Sequence, residues 1–446
     1  MRILKTVFGS LFAIIAVALL AFSCYYLWLS IPRQREEPEV LQSELIFQEK
    51  PEEEPAPEPE PEPEPAVPVI VPEFPEEEPE EEEPAEEAVP DEPEVPVFTP
   101  QQLAETYLQT MTTEQKLWQL FITTPEAITH VNLATRAGEA TKTALQTYPV
   151  GGLCYFADNL KEAEQVKIML TNTQAYATTG LFLCIDEEGG TVSRAGSNPN
   201  MEVTPIQSAA EYGAAGDAAI LFSDAVKLAQ ELTALGFNLN FAPVADLDPE
   251  TENEELSTRT YSSDPKVAAD MVAAMVTGLQ EGGMISCLKH FPGHGSAETD
   301  SHEDTSVSER TLEELQEADW IPFRSGIEKG VPFVMLSHLT NKELSKEPAS
   351  LSPEVVDYLR QELGFGGVII TDSQKMGAIA NHYSSAEAAV LAIEAGADMI
   401  LMPADLQEAF DGLKAAVDNG KLTEERLNES VLRILTVKFE QGIMQA

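Results

Sequence analysis

Short apolar runs alternate with amphipathic stretches along residues 97–446. Helical patterns lie between most of these runs, and residues 218–236 carry an apolar stripe that ends on Gly236, as is typical of a helix C-cap. Apolar strands that alternate with helices predict a parallel sheet with right-handed crossovers. The runs predicted as strands are 118–124, 150–156, 181–187, 237–246, 284–291, 332–338, 366–372 and 397–402. Eight such strands predict an α/β fold, a closed (β/α)8 TIM-type barrel, with a doubly wound open sheet as the alternative.

The amino-terminal 35 residues follow a different pattern. They contain no acidic residue, and residues 7–32 are an almost continuous apolar run. This run exceeds the roughly 20 residues that a membrane-spanning helix needs, so residues 1–35 are predicted to be a transmembrane signal anchor. A cleaved signal peptide is the alternative, and so is a lipid-modified Cys24.

Residues 36–96 are dominated by glutamate and proline, with Lys50 as their one basic residue. An alternating Pro/Glu tract cannot form a helix or a sheet, because each proline lacks the N–H that these structures use. Like charges and proline both extend the chain. This segment is therefore predicted to be a disordered linker, which serves either as a spacer or simply as a soluble tether.

The overall composition excludes several classes of protein. The chain carries 76 acidic and 27 basic residues, a formal net charge of −49. This argues against nucleic acid as a partner, because phosphate backbones recruit an excess of Lys and Arg. The 4 cysteines include no CxxC pair, which argues against a disulfide scaffold and a zinc ribbon.

Polar residues gather where the predicted strands end. Asp186, Lys289, His338 and Asp372 each follow or close an apolar run. The active site of a parallel barrel lies at the carboxyl ends of its strands. These residues could instead cap the helices that follow. Because the pattern occurs on four strands, it predicts a functional site at the barrel mouth.

Seven segments of residues 97–446 form recognisable motifs: KHFPGHGSAETDSH (289–302), IDEEGGTVSR (185–194), FAPVADLDP (241–249), VIITDSQKMGAI (368–379), MTTEQKLWQLF (111–121), RTLEELQEADWIPF (310–323) and AGADMILMP (395–403). In these motifs the chain resembles glycoside hydrolase family 3, in its β-N-acetylglucosaminidase branch. The resemblance implies that residues 97–446 form a single catalytic barrel, without the second domain of related β-glucosidases.

The same resemblance assigns residues to the chemistry. It implies that Asp372 is the nucleophile, that His302 is the acid/base, and that Asp300 orients and supports His302. The implied substrate-binding residues are Asp186, Arg194, Arg259, Lys289 and His290, although Arg259 could instead be a surface residue of its loop. Thr191 departs from the family pattern, which commonly has Arg at that position, and this puts the packing around Glu188 and Arg194 in question.

The resemblance implies no cofactor. His290 and His294 have the HxxxH spacing of a zinc helix, but Pro292 and Gly293 make this segment a turn, so no metal site is expected. Glu187, Glu188 and Asp246 are interpreted as structural or supporting residues rather than as catalytic carboxylates.

The function expected from these features is retaining exo-hydrolysis of terminal β-linked N-acetylglucosamine from cell-wall muropeptides or related glycans. The catalytic barrel is expected outside the cell membrane, attached through residues 1–35, or secreted if that segment is cleaved. A β-N-acetylglucosaminide phosphorylase and a β-glucosidase are alternatives on the same fold. An inactive wall-binding surface protein is the non-enzymatic alternative.

Overall fold

The computed structural model describes residues 98–248, 256, 258–294 and 306–445. The strands in these residues are short, and most of them are fully buried. They are β1 (Phe121–Thr123), β2 (Gly152–Cys154), β3 (Phe182–Ile185), β4 (Glu187–Gly189), β5 (Val192–Ser193), β6 (Leu239–Asn240), β7 (Ile285–Phe291), β8 (Val307–Ser308), β9 (Phe333–Leu336), β10 (Thr340–Asn341), β11 (Val368–Ser373) and β12 (Met399–Leu401).

Eight of these strands form a closed parallel barrel. Their order around the barrel is β1-β2-β3-β6-β7-β9-β11-β12, and β12 pairs with β1 to close it. Ile122 on β1 pairs with Leu401 on one side and with Gly152 on the other. All eight predicted apolar runs contribute a barrel strand, so the closed barrel is confirmed and the open sheet is excluded. The remaining strands form two small pairs, β4 with β5 and β8 with β10.

The observed strands are shorter than the predicted runs. Trp118 and Gln119 belong to the helix that precedes β1 rather than to the strand. In the run 237–246 only Leu239–Asn240 is a strand. Pro243 has no N–H for the ladder, and pairing resumes after it as a single bridge between Val244 and Lys289.

Helices lie between the barrel strands, and most begin with a side-chain cap. Thr99, Thr112, Ser208 and Thr311 each form a capping box. The helices are α1 (Pro100–Leu108), α2 (Thr113–Gln119), α3 (Pro125–Thr129), α4 (Glu139–Thr147), α5 (Ala163–Tyr176), α6 (Ala209–Ala215), α7 (Ala218–Leu235), α8 (Pro265–Glu281), α9 (Leu312–Glu314), α10 (Trp320–Glu328), α11 (Pro353–Asp357), α12 (Gly377–Ala380), α13 (Ser385–Ala395), α14 (Leu406–Asp418) and α15 (Glu424–Glu440).

Helix α7 shows how the sequence pattern produces the outer layer. Its residues Leu221, Ala225, Leu228 and Leu232 recur every three or four positions and are buried. The helix ends at Gly236, which adopts the left-handed conformation with a φ of 106° and donates its N–H to the carbonyl of Leu232. The helix predicted over 218–236 and its glycine cap are therefore confirmed.

The barrel interior is a packed core. Phe182 and Phe333 meet edge to face, with ring centroids 5.1 Å apart. Cys154, Cys184 and Cys287 lie in barrel strands as free, buried thiols. Burial raises the pKa of all three thiols, so they remain protonated. They act as small apolar side chains.

The predicted anchor (residues 1–35) and linker (residues 36–96) lie outside the described residues. Within residues 98–248, 256, 258–294 and 306–445, no helix has both the length and the apolar character needed to cross a membrane.

Lys438 on α15 is a buried amine inside this fold. Its side chain is fully buried, and its Nζ donates to Gln119 Oε1 at 2.7 Å. The same Nζ lies 4.9 Å from the centroid of the Phe182 ring. Burial lowers the pKa of Lys438 to about 7, and the nearby Cys184 opposes this shift only in part.

This buried amine makes stability depend on pH. The unfolded chain keeps Lys438 protonated to about pH 10, so between about pH 7 and 10 the unfolded state binds more protons and stability rises with pH. The penalty for burying Lys438 is therefore complete below pH 7 and is relieved as the pH rises. Lys438→Met removes this penalty, so we expect the variant to be stabilised relative to wild type more at about pH 6.5 than at about pH 9.5. The two stabilisations should differ by on the order of 2 kcal/mol.

Urea unfolding of both proteins at the two pH values measures this difference. Lys329→Met, which changes an exposed lysine, is the matched control and should show no such pH dependence. A difference between Lys438→Met and wild type that stays constant with pH would contradict the lowered pKa of Lys438.

Candidate active site

A cavity of about 560 Å³ opens at the carboxyl ends of the barrel strands. It is lined by Asp186, Arg194, Arg259, Lys289, His290 and Asp372, six of the side chains predicted for the site. The structure therefore brings together residues that are up to 186 positions apart in the sequence. A larger cavity of about 640 Å³ lies near the amino ends of the strands, beside Val331, Gly367 and Val437. It contains none of the predicted site residues.

Four charged side chains form an ion-pair network in one wall of the site cavity. Lys289 Nζ lies 2.9 Å from Asp186 Oδ1 and 2.6 Å from Glu188 Oε1. Arg259 donates two hydrogen bonds to Glu188, from Nε at 2.8 Å and from Nη2 at 2.9 Å. Because each charge has a partner, the network holds these donors and acceptors in fixed positions around the cavity.

The protonation states of this network are set by its members. Burial alone would raise the pKa of Glu188, but Lys289 and Arg259 together lower it to about 2. Burial alone would lower the pKa of Lys289, but Asp186 and Glu188 raise it above its ordinary value. Glu188 and Lys289 therefore stay ionised at neutral pH, and the ammonium group of Lys289 can donate to sugar hydroxyls.

Glu188 is the member of this network that the sequence left out of the binding site. It lines the cavity and joins Lys289 to Arg259. The Arg259 side chain is only 13% exposed, so the alternative reading of Arg259 as a surface residue is wrong. The position of Glu188 could have indicated a site residue, since it follows Asp186 and Glu187 just after the end of β3. The sequence does not show, however, which cation Glu188 contacts.

Arg194 enters the cavity from the β4–β5 hairpin. The tight turn of this hairpin needs Gly189 and Gly190, which have φ values of 95° and 56°. A side chain at Gly189 would meet the carbonyl oxygen of Gln207 at 2.5 Å. The guanidinium of Arg194 lies 5.8 Å from the centroid of the Phe156 ring, and its buried Nε has no hydrogen-bond partner among the described residues.

Glu187 supports the hairpin rather than the chemistry. Its carboxylate accepts hydrogen bonds from the Ser193 hydroxyl, from the Ala195 N–H at 2.7 Å and from the Gly196 N–H at 3.2 Å. Burial raises its pKa, and these hydrogen bonds oppose that shift. The donors flank Arg194 on both sides in the sequence, so Glu187 fixes the path of the backbone that carries Arg194.

Thr191, which stands where the family pattern has Arg, packs without disturbing these contacts. Its hydroxyl lies 3.2 Å from the hydroxyl of Thr258, the residue before Arg259. Glu188 keeps both of its cations, and Arg194 keeps its position against Phe156. Threonine in place of the usual Arg therefore leaves the contacts of Glu188 and Arg194 intact.

Asp246 holds His290 and the turn that follows it. Its Oδ2 accepts from His290 Nδ1 at 2.8 Å and from the His290 backbone N–H at 3.1 Å. Its Oδ1 accepts from the His294 backbone N–H at 2.7 Å. Burial alone would raise the pKa of Asp246, but His290 holds it below its ordinary value. This bonding assigns a proton to Nδ1 of His290 and leaves Nε2 for a ligand in the cavity.

Asp372 occupies the carboxyl end of β11. Its Oδ1 accepts a hydrogen bond of 2.6 Å from the Ser373 N–H. Burial would raise the pKa of Asp372, but the neighbouring His290 and this N–H hold the pKa below its ordinary value. Asp372 is therefore an ionised carboxylate at neutral pH, which is the form required of a nucleophile.

His338, at the end of β9, fixes the position of this strand end. Its Nδ1 is 2.8 Å from the Ser350 hydroxyl and its Nε2 is 2.9 Å from the Ser373 carbonyl oxygen. Burial lowers the pKa of His338, so the ring is neutral at neutral pH. Nε2–H donates to Ser373, the residue after Asp372. Since both ring nitrogens are engaged, His338 supports the nucleophile and does not transfer protons.

Asp300 and His302 lie outside the described residues, so the acid/base assignment stays a prediction. The described chain stops at His294 and resumes at Ser306. His294 is held by Asp246, and Val307–Ser308 pairs with Thr340–Asn341, which follows β9 closely. Both flanks therefore lie near the carboxyl ends of β7 and β9.

The described residues contain no group of three or more His, Cys, Asp and Glu side chains that could hold a metal ion. The rings of His290 and His294 have centroids 5.9 Å apart, and Nδ1 of His290 is bound to Asp246.

Comparison with known proteins extends this picture. The family profile described as Glycosyl hydrolase family 3 N terminal domain matches residues 112–437. A beta-hexosaminidase of Stenotrophomonas maltophilia (strain R551-3) is 36% identical over 264 residues, which cover 58% of this chain and 77% of that protein. A beta-N-acetylglucosaminidase/beta-glucosidase of Cellulomonas fimi is 31% identical over 350 residues, which cover 76% of this chain and 59% of that protein. A solved glycoside hydrolase family 3 beta-N-acetylglucosaminidase from Paenibacillus sp. str. FPU-7 has a TM-score of 0.71 at 35% identity, covering 76% of this chain and 64% of that protein.

Proposed function

The chain belongs to glycoside hydrolase family 3, and on that premise we propose that it is a retaining exo-β-N-acetylglucosaminidase. Its substrates are then glycans with a terminal β-linked N-acetylglucosamine, such as cell-wall muropeptides. The observation that carries this proposal is the placement of the ionised Asp372 in one cavity with Arg194, Arg259, Lys289 and His290. A nucleophile surrounded by fixed hydrogen-bond donors fits the requirements of a sugar-binding catalytic site.

The reaction follows from these groups in two steps. In the first step an oxygen of Asp372 attacks the anomeric carbon and forms a covalent ester, while the bond to the leaving oxygen breaks and that oxygen takes a proton from the acid/base. In the second step the same group removes a proton from water, which attacks the anomeric carbon and releases Asp372. We assign the acid/base role to His302, supported by Asp300. An imidazole that titrates near neutrality can both give and take this proton.

The choice of N-acetylglucosamine is supported by similarity. The beta-hexosaminidase of Stenotrophomonas maltophilia and the beta-N-acetylglucosaminidase from Paenibacillus are 36% and 35% identical to this chain. The chain spans only 64% of the Paenibacillus protein and 59% of the Cellulomonas fimi protein. We infer an N-acetylglucosamine glycone for this chain from the names of these relatives. We infer the cell-wall source of the glycan from the predicted location outside the membrane.

A comparison of two chromogenic substrates tests the proposed function. We expect the purified protein to hydrolyse an aryl β-N-acetylglucosaminide with a kcat/KM well above that for the matching β-glucoside, with no requirement for phosphate. Higher activity on the glucoside would favour a β-glucosidase, and turnover that depends on phosphate would favour a phosphorylase. Absence of turnover on both substrates would favour a wall-binding protein.

We also propose that residues 1–35 attach the enzyme to a membrane and that the acidic linker separates it from the surface. The support is the long apolar run in the sequence. The full-length protein should fractionate with membranes, and a variant that lacks residues 1–35 should not. A mature protein that begins at or after Cys24 without a lipid would refute the attachment.

A further inference from the structure

Three methionine side chains line one side of the site cavity, namely Met335, Met376 and Met402. Met335 lies on β9, Met376 follows β11 and Met402 directly follows β12. These three strands are neighbours in the barrel. The thioether groups therefore form a methionine wall (Met335, Met376 and Met402) on adjacent strands, one of which carries Asp372.

The exposure of these side chains separates them. Met335 and Met402 are 2% and 9% exposed, whereas Met376 is half-buried. Among the other methionines that the structure describes, Met111 and Met444 are also half-buried, but they pack against the core and do not line the cavity. The rest are at most 2% exposed. Of the described methionines, Met376 is therefore the one that combines a place in the site with substantial exposure to solvent.

Backbone hydrogen bonds hold Met376 at the cavity. Its N–H donates to the Ser373 carbonyl oxygen at 3.0 Å, and its own carbonyl accepts from the Ile379 N–H at 3.0 Å. The Ser373 carbonyl also accepts from Nε2 of His338 at 2.9 Å. Met376 therefore stands at the start of α12 in a turn that is tied to the end of β11, so its backbone is fixed relative to the strand that carries the nucleophile.

A thioether reacts with hydrogen peroxide to give a sulfoxide. The sulfur attacks one oxygen of the peroxide and the O–O bond breaks. The departing hydroxide takes the proton from the transferred oxygen and leaves as water. The sulfur is thereby oxidised by two electrons and the peroxide is reduced. Cys154, Cys184 and Cys287 compete poorly for the same oxidant, because they are buried free thiols.

Oxidation changes what the methionine wall presents to a sugar. The thioether sulfur is a weak hydrogen-bond acceptor, whereas the sulfoxide is a polar group with an oxygen that accepts hydrogen bonds. Lys289 and Arg194 supply hydrogen-bond donors in the same cavity. A sulfoxide at Met376 therefore competes with sugar hydroxyls for these donors, and it places a polar group where the wall is apolar.

We propose that Met376 is an oxidative modification site, at which conversion to the sulfoxide by hydrogen peroxide reversibly lowers the activity of the enzyme. The loss of activity rests on the proposed glycosidase function, whereas the modification itself does not. Met335 and Met402 are the less exposed members of the methionine wall and react later. The catalytic site therefore responds to an oxidant from which the described cysteines are shielded.

Treatment of the full-length enzyme with hydrogen peroxide tests this assignment. Two quantities are measured on the same samples: the oxygen gained by each methionine-containing peptide, by mass spectrometry, and kcat/KM on an aryl β-N-acetylglucosaminide. We expect Met376 to be oxidised before the other described methionines. We expect kcat/KM to fall by about 2- to 10-fold, the range for the loss of one hydrogen bond. A mixture of two methionine sulfoxide reductases, one for each sulfoxide epimer, should restore both quantities.

Met376→Leu keeps an apolar side chain without the sulfur, and each variant is compared with its own untreated activity. Met376→Leu should keep that activity under peroxide, whereas Met111→Leu, the matched control at another half-buried methionine, should lose it as wild type does. An unmodified Met376, a Met376 sulfoxide with unchanged kcat/KM, or equal losses in wild type and Met376→Leu would each overturn the proposal. An untreated enzyme that cleaves no glycoside overturns the proposed function instead, and the mass measurement then still decides whether Met376 is the oxidation site.

Discussion

Asp372→Asn is expected to lower kcat by roughly 10³-fold or more, because the amide cannot form the covalent ester on which the retaining reaction depends. The replacement keeps an oxygen that can accept from the Ser373 N–H, so the fold and the cavity should be retained. Steady-state kinetics on an aryl β-N-acetylglucosaminide measure the loss, and thermal unfolding checks the fold. Asp357→Asn, an exposed position on α11, is the matched control and should retain full activity.

A covalent label locates the nucleophile independently of kinetics. A mechanism-based fluoro-sugar should modify the peptide that contains Asp372 and no other. The two competing carboxylates are already engaged, since Glu187 accepts from Ser193, Ala195 and Gly196 and Glu188 is paired with two cations. A label found on Glu187 or Glu188 would show that Asp372 is not the nucleophile.

Much of the fold was predictable because the strands and helices of a barrel require regular patterns of apolar residues in the sequence. Each barrel strand is buried, so each appears as an apolar run, and the helices between them carry an apolar stripe. The ends of the strands were less predictable. Pro243 interrupts the run 237–246 and Trp118 joins a helix, because local backbone chemistry overrides a hydrophobic pattern at these points.

The strand pattern by itself predicts a site residue only where a barrel strand ends in a polar side chain, and Arg194 and Arg259 were predicted from the family resemblance instead. Asp186, Lys289, His290 and Asp372 follow this rule, and the structure places them in one cavity. The pairing among the charges was not predictable. Glu188 meets Arg259 across 71 positions of the sequence, and Asp246 meets His290 across 44. A single sequence carries no record of such contacts, so both acids were interpreted as merely structural or supporting.

Asp300 and His302 are a different case, because no strand or helix pattern places them. They rest on the resemblance of the segment 289–302 to its family. The described site agrees with a need for such a group. Asp186 and Glu188 are committed to cations, Glu187 to the hairpin, and His338 to Ser350 and Ser373. None of these four groups is therefore poised to transfer a proton to a leaving oxygen.

His302→Ala is expected to lower kcat/KM by about 10²- to 10⁴-fold on substrates with a poor leaving group, such as a natural disaccharide. The loss should be far smaller on an activated aryl glycoside, since its departure needs little protonation. Asp300→Asn should lower the rate on the disaccharide as well, because it removes the charge that orients the ring and stabilises the imidazolium. Parallel measurements of kcat/KM on the two substrates give the required comparison.

The contrast between the two substrates is what identifies a proton-transfer role. His130→Asn, a change at an exposed residue outside the cavity, serves as the control and should affect neither substrate. A small anion such as azide should accelerate the second step in His302→Ala, because it attacks the glycosyl ester without needing a base. Equal losses on the disaccharide and the aryl glycoside would mean that His302 binds the sugar instead. The acid/base would then be another residue. Glu187 and His338 would not qualify, because hydrogen bonds within the protein already occupy both side chains.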